Sequence, residues 1–286
     1  MKKLLSLVLL TTFGIGAAAQ DKKFQIGLVL GPTFNWTKIQ TNKIERQGIG
    51  NGFTIGIGGN YMFNENVGFA SGIQFDLESF KINYGSDSNT ALGDVFYAYD
   101  DTDIQKFDDK TSKIDGSFTD STAFLLHERK YRAKYVTIPL FLKFQTNMIG
   151  QFKYYGKFGM RTSILAGVRM DDTGFDADYD FVSGDFTRLT NPFRVQENLK
   201  PVSVKKELAL IRTGIGIYGG AEWNFTGSTF LYAELGFNYG ITPSLYQTSS
   251  TLVDRVETSP GNYTYSSLDI QNNPQHIIEI KFGLLF

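Results

Sequence analysis

The chain has 286 residues with formal net charge −1, and carries 30 Gly, 25 Phe, 15 Tyr, 7 Pro and no Cys. Near-neutral charge leaves no basic footprint, so nucleic acid is not expected as a partner. The lack of Cys excludes disulfides, thiol catalysis, cysteine zinc sites and lipid attachment at a processed N-terminus.

Residues 1–19 read as a cleaved signal peptide: Lys2 and Lys3, an apolar run from Leu4 to Phe13, then Ala17, Ala18 and Ala19. The run falls short of the roughly 20 residues a membrane-spanning helix needs. Residues 20–286 are expected to form a single domain. Period-two alternation predicts strands over 24–36, 52–63, 67–80, 134–144, 154–168, 210–223, 229–240 and 276–286. Helical periodicity is not convincing beyond the leader. Connections after the second, fourth and sixth strands are tight turns. The others are long, over 37–50, 81–133, 171–207 and 241–275. Short and long connections in strict alternation predict an all-β, transmembrane, antiparallel up-and-down barrel of about eight strands. The expected place is the outer membrane, with long loops outside, short turns in the periplasm and lipid around the strands.

The two faces of these strands differ. One is apolar; the other combines glycine with Asp76, Glu78, Glu222, Glu234 and Glu279 and with Lys143, Lys157, Arg161, Arg212 and Lys281. In a narrow lumen, glycine makes room for long neighbours. Five acids and five bases on one face predict a lumen charge network of ion pairs, since a buried charge is tolerated only when paired. A proton or ion path and a catalytic cluster are the other readings. With these side chains inside an eight-stranded ring, an open porin is disfavoured. Trp36, Phe53, Phe237 and Tyr239 at one end and Tyr61, Phe63, Trp223 and Phe225 at the other suit interfacial girdles. Pro139 lacks a ladder donor, so a bulge or a locally unpaired partner carbonyl is expected there, with Pro139 facing inward.

The strand Tyr135-Val136-Thr137-Ile138-Pro139-Leu140-Phe141-Leu142-Lys143-Phe144 resembles the "hydrophobic-x-Ile-Pro-Leu-hydrophobic-hydrophobic-Lys" strand of the PorT-like outer-membrane barrels of Bacteroidetes. The hairpin sequences GFTIGIGGNYMF and GIGIYGGAEWNF and the GLLF ending are similar to that family as well. The resemblance implies a non-enzymatic scaffold or accessory subunit in type IX secretion, protein transport or envelope assembly, and no catalytic residue is carried over. Partners would be other envelope or secretion-system proteins, met through loops or turns. The last strand, closing on Phe286, is read as the assembly signal for the barrel-assembly machinery. The alternative is a narrow channel or solute-binding barrel, with a loop-borne hydrolase or acyltransferase behind it.

The long connections hold the remaining candidates. Asp176, Asp178 and Asp180 begin like a calcium loop, but Phe181 stands where Gly is required and Thr187 where a bidentate Glu is required, so this is no EF-hand. They remain candidate calcium ligands. Phe96, Tyr97, Tyr99, Phe107, Tyr179, Phe181 and Phe186 serve either to grip a partner or glycan or to pack the loops together. His127 and His276 are the two imidazoles, and Asp120, Ser121 and His127 form the single hydrolase constellation worth weighing. No cofactor is expected.

Overall fold

A strand with one apolar and one charged face must keep the charges from lipid while pairing every backbone group, and a closed ring does both. The computed structural model describes residues 23–39, 44–84, 95–100, 103–108, 113–114, 122–180, 185–188, 194–199, 207–260, 262–270 and 273–286. Eight antiparallel strands form the ring: β1 (Phe24–Thr37), β2 (Gly50–Met62), β3 (Val67–Asn83), β4 (Thr122–Gln145), β5 (Phe152–Asp180), β6 (Ile211–Thr226), β7 (Thr229–Gly240) and β8 (Gln275–Leu285). Each pairs with its sequence neighbours, and β8 closes on β1 from Gly27 opposite Leu285 to Thr37 opposite Gln275.

Parity fixes the faces. Ile55, Phe75, Leu140, Phe158, Ile217 and Leu235 point outward and are 45% to 61% exposed, whereas the residues that alternate with them are buried or half-buried. The short turns lie at one end. Asn64 Oδ1 accepts from the amides of Asn66 and Val67 at 2.9 and 2.8 Å in the first. Gly150 and Gly227 take φ of 63° and 53° in the other two, a conformation that residues with a Cβ rarely adopt.

Two strands are longer than the alternation predicts. β4 begins at Thr122 instead of 134, and β5 runs to Asp180 instead of 168. Together they rise out of the ring as one hairpin. Extra residues hide this in the sequence. A register shift between Leu165 and Gly167 moves the inward face of β5 from odd to even positions, and another at Thr173/Gly174 leaves His127 as the additional residue in β4. Beyond it β4 is also buried on both faces: Phe124 and Leu126 belong to one apolar core, Ala123 and Leu125 to another. Alternation disappears where both faces are dry.

The hairpin carries a head above the ring. Val95–Asp100 pairs with β4, while Arg194–Leu199 and Asp185–Arg188 pair with β5. Thr248–Ser259 joins Val95–Asp100, with Asn262–Asp269 at the sheet margin. Tyr84, Tyr97, Tyr131, Leu208, Leu252 and Leu268 pack into the larger core, which lies over the barrel mouth.

Pro139 faces inward. The β3–β4 pairing keeps its register from Ser71/Leu140 to Gln74/Thr137, yet no pair forms across Gly72 and Pro139. Of the two expectations, the local gap is realised and the bulge is not.

Candidate functional site

The lumen is the most chemically loaded part of the ring, and neighbouring strands supply its partners. Nearest the turns, Lys143 of β4 bonds Glu222 of β6, and Lys157 of β5 meets Glu234 of β7 at 2.5 Å. At mid-height Arg161 of β5 donates to Asp76 of β3 at 2.5 Å and lies 3.4 Å from Glu279 of β8. Thr54 and Thr137 also donate to Asp76. Glu279 takes Lys281 at 2.9 Å and the Tyr218 hydroxyl at 2.5 Å. Nearest the mouth, Arg212 of β6 bonds Glu78 and Gln275, and its guanidinium lies 3.8 Å over the Tyr135 ring. All ten ionisable residues of the predicted network point inward, and each has an oppositely charged partner.

Aromatic rings fill what the charges leave. The Tyr218 ring lies across Gly236 so closely that a Cβ there would overlap it, which is why a side-chain-free residue stands at that position. Lys281 lies 4.9 Å from the same ring, and Phe141 meets it edge-on at 4.8 Å. Two spaces within the lumen measure about 40 and 10 Å³. The larger lies between Gln74, Pro139, Phe141, Tyr155 and Lys281. Volumes of this size hold one or a few waters and no solute.

Above the ring a second buried charge cluster ties the head together. Arg129 of β4 donates from Nε and Nη2 to both oxygens of Asp172 on β5, each at 2.7 Å. Its Nη1 lies 3.4 Å from Glu207, which accepts from Thr251 at 2.8 Å. Burial opposes the Arg129 charge, but Asp172, Tyr131 and Glu207 together outweigh it and hold the guanidinium above its ordinary range. Burial raises the Glu207 carboxyl, partly offset by Arg129 and the Thr251 hydroxyl. The sequence reading missed this cluster because all three residues fall in segments read as loops.

The chain matches the model of the outer membrane protein beta-barrel domain over residues 18–246. It belongs to that family. The outer-membrane barrel is similar to several solved structures at low identity. OprG of Pseudomonas aeruginosa is 10% identical, with TM-score 0.40, covering 92% of this chain and 96% of that one. Ail, the attachment invasion locus protein of Yersinia pestis, is 9% identical, with TM-score 0.33, covering 92% and 99%. The outer membrane protease OmpT of Escherichia coli is 12% identical, with TM-score 0.33, covering 93% and 97%. Comparison with curated protein sequences returned no significant match. As a member of that family the chain is a multi-pass barrel of the outer membrane, with its apolar strand faces toward lipid.

The other candidates fall as follows. Asp176, Asp178 and Asp180 stand at alternate positions of β5 and not in a loop, because Asp185–Arg188 folds back to pair with that stretch. Asp176 is buried and accepts from the Tyr99 hydroxyl at 2.7 Å; the side chains of Asp178 and Asp180 lie outside the described residues. Among the described residues no three acidic, His or Cys side chains converge as a metal site. Phe96, Tyr97, Tyr99 and Phe107 are buried in the head cores, so they pack the head. Tyr179 and Phe186 have side chains outside the description, as is all of Phe181. His127 sits within β4, and Asp120 and Ser121 lie outside the described residues. His276 sits among Trp36, Phe237 and Tyr239, the last with ring centroids 4.5 Å away, in a girdle at the mouth end. Trp223, Phe225 and Phe152 form its counterpart at the turn end.

Proposed function

We propose that this outer-membrane barrel is a non-enzymatic scaffold or accessory subunit of a secretion or envelope-assembly machine, as the PorT-like strand at 135–144 implies. The observation that carries this reading is the filled lumen. Ten charged side chains neutralise one another across the ring, and two spaces between them are only about 40 and 10 Å³. A ring so occupied offers other molecules its head and its turns, not a path through its centre. The head has its own apolar cores and paired strands, so it can present a fixed surface. Phe286 supports the assembly part of the proposal: its amide donates to the Ile26 carbonyl at 2.8 Å, where the last strand meets the first.

The test is chemical cross-linking in intact cells followed by purification in mild detergent. Recovery with one or more defined envelope proteins is expected. Recovery as a lone barrel under every growth condition defeats the proposal. Planar-bilayer recordings separate it from the channel reading: silence is expected, and a steady single-channel conductance would favour a pore.

A further inference from the structure

The outward face of the barrel changes character at its mouth end. Up β4, Phe144, Leu142, Leu140, Ile138 and Val136 point outward, and Lys134, Arg132 and Lys130 follow at the same period. The ten-residue step from Phe144 to Lys134 corresponds to ~25 Å of height at the usual strand rise and tilt, which is the thickness of an outer-membrane apolar band. Lys134 thus stands at the level of lipid headgroups, and Arg132 just above.

The register collects more cations there. Lys81 of β3 lies directly opposite Lys130, and Arg169 of β5 directly opposite Arg132. Like charges facing each other across paired strands destabilise a sheet. Among the described residues two carboxylates on this face respond, Glu128 to Lys81 at 2.8 Å and Asp171 to Arg132 at 2.6 Å. Against Lys81, Lys130, Arg132, Lys134 and Arg169 they leave an excess of positive charge among the described residues.

Beside the cluster lies a groove of about 390 Å³ with Phe53 and Leu77 on one side and Arg132 and Lys134 on the other. Ser79, small and on the outward face between Leu77 and Lys81, leaves it open, while Gly52 and Glu78 border it from the inward face, where Glu78 is held by Arg212. Cations above an apolar floor match an amphiphile with an anionic head. We propose that this groove binds the phosphate-bearing headgroup of an outer-leaflet lipid. Arg132 and Lys134 meet the phosphate, Lys81, Lys130 and Arg169 supply the surrounding field, and acyl chains descend over Leu77 and Phe53.

Native mass spectrometry of the full chain in non-ionic detergent tests this, with three probes: a bisphosphorylated diglucosamine lipid, its dephosphorylated counterpart and inorganic phosphate. The phosphorylated lipid should stay bound and its counterpart should not, and inorganic phosphate should not displace it. Arg132→Gln, Lys134→Gln and Arg169→Gln combined should weaken retention on the order of a hundredfold, from the usual contribution of each basic residue near an anionic membrane surface. Lys134→Gln alone, which leaves the Arg132–Asp171 pair intact, should weaken it about fivefold and is decisive if the triple variant does not fold. Equal retention by wild type and the folded variants, equal retention of the two lipids, or displacement by inorganic phosphate would each overturn the proposal.

Discussion

Replacing Arg161 with Met tests whether the lumen is held by its charges or merely tolerates them. The guanidinium is 3% exposed and shared between Asp76 and Glu279, both fully buried. Removing one partner of a buried ion pair costs about 3–5 kcal/mol, because the other charge is left uncompensated. Here neither carboxylate is wholly abandoned. Asp76 keeps Thr54 and Thr137, and Glu279 keeps Lys281 and Tyr218. The expected loss therefore sits at the low end, about 3 kcal/mol. Adding Asp76→Asn removes the stranded charge, so the double variant should be less destabilised than the sum of the singles by about 1–3 kcal/mol. Urea titration of the refolded protein in lipid vesicles, followed by tryptophan fluorescence and by gel mobility before and after heating, gives both numbers. A single variant within about 1 kcal/mol of wild type, or strictly additive singles, would refute the reasoning.

Gly236→Val forces the Tyr218 ring from its seat and should destabilise the barrel by about 1–3 kcal/mol or more, in the same titration; an unchanged midpoint would show that the ring has room to move. Burial raises the Glu207 carboxyl, so above the ordinary value of 4.5 the folded head binds more protons than the unfolded one and loses stability as pH rises through the raised value. Glu207→Gln should flatten that slope, measured by hydrogen exchange of head amides between about pH 5 and 8; a slope equal to wild type contradicts the assignment. Arg129→Met should loosen the head while leaving the ring intact, seen as faster proteolysis above the membrane with unchanged heat-modifiable mobility. Deleting Phe286 removes its exchange of backbone hydrogen bonds with Ile26 and should lower surface levels with periplasmic degradation; normal surface levels refute it.

The ring was legible because a barrel wall obeys one rule throughout. Every residue of the wall is either toward lipid or toward the lumen, so period two survives along Phe24–Thr37, Gly50–Met62, Ile211–Thr226 and Thr229–Gly240. The lumen network was legible for the same reason, since parity alone puts Asp76, Arg161 and Glu279 on the inner face. Partner choice was not. Whether Arg161 meets Asp76 or Glu222 depends on strand stagger, and single-sequence parity carries no information about stagger. The head stayed hidden for two further reasons. At Ala166 and His127 an additional residue reverses parity within one continuous strand. Past those points Phe124, Leu125 and Leu126 are all buried, and a strand dry on both sides has no alternation to detect. Arg129 thus looked like one charge in a charged loop, although Asp172 and Glu207 come to it from 43 and 78 residues away.

The long pairing of β4 with β5, from Gln145/Tyr155 beside the turn to Thr122/Asp178 in the head with two register shifts on the way, also has a mechanical meaning. A pull on the head along the hairpin axis draws both strands the same way and loads in shear the ladders that join them to β3 and β6, with many rungs sharing the force at once. A pull that prises the two strands apart opens the rungs one by one. The hairpin resists the first direction and yields to the second, so a load along its axis is shared with β3 and β6 and passes into the wall of the ring.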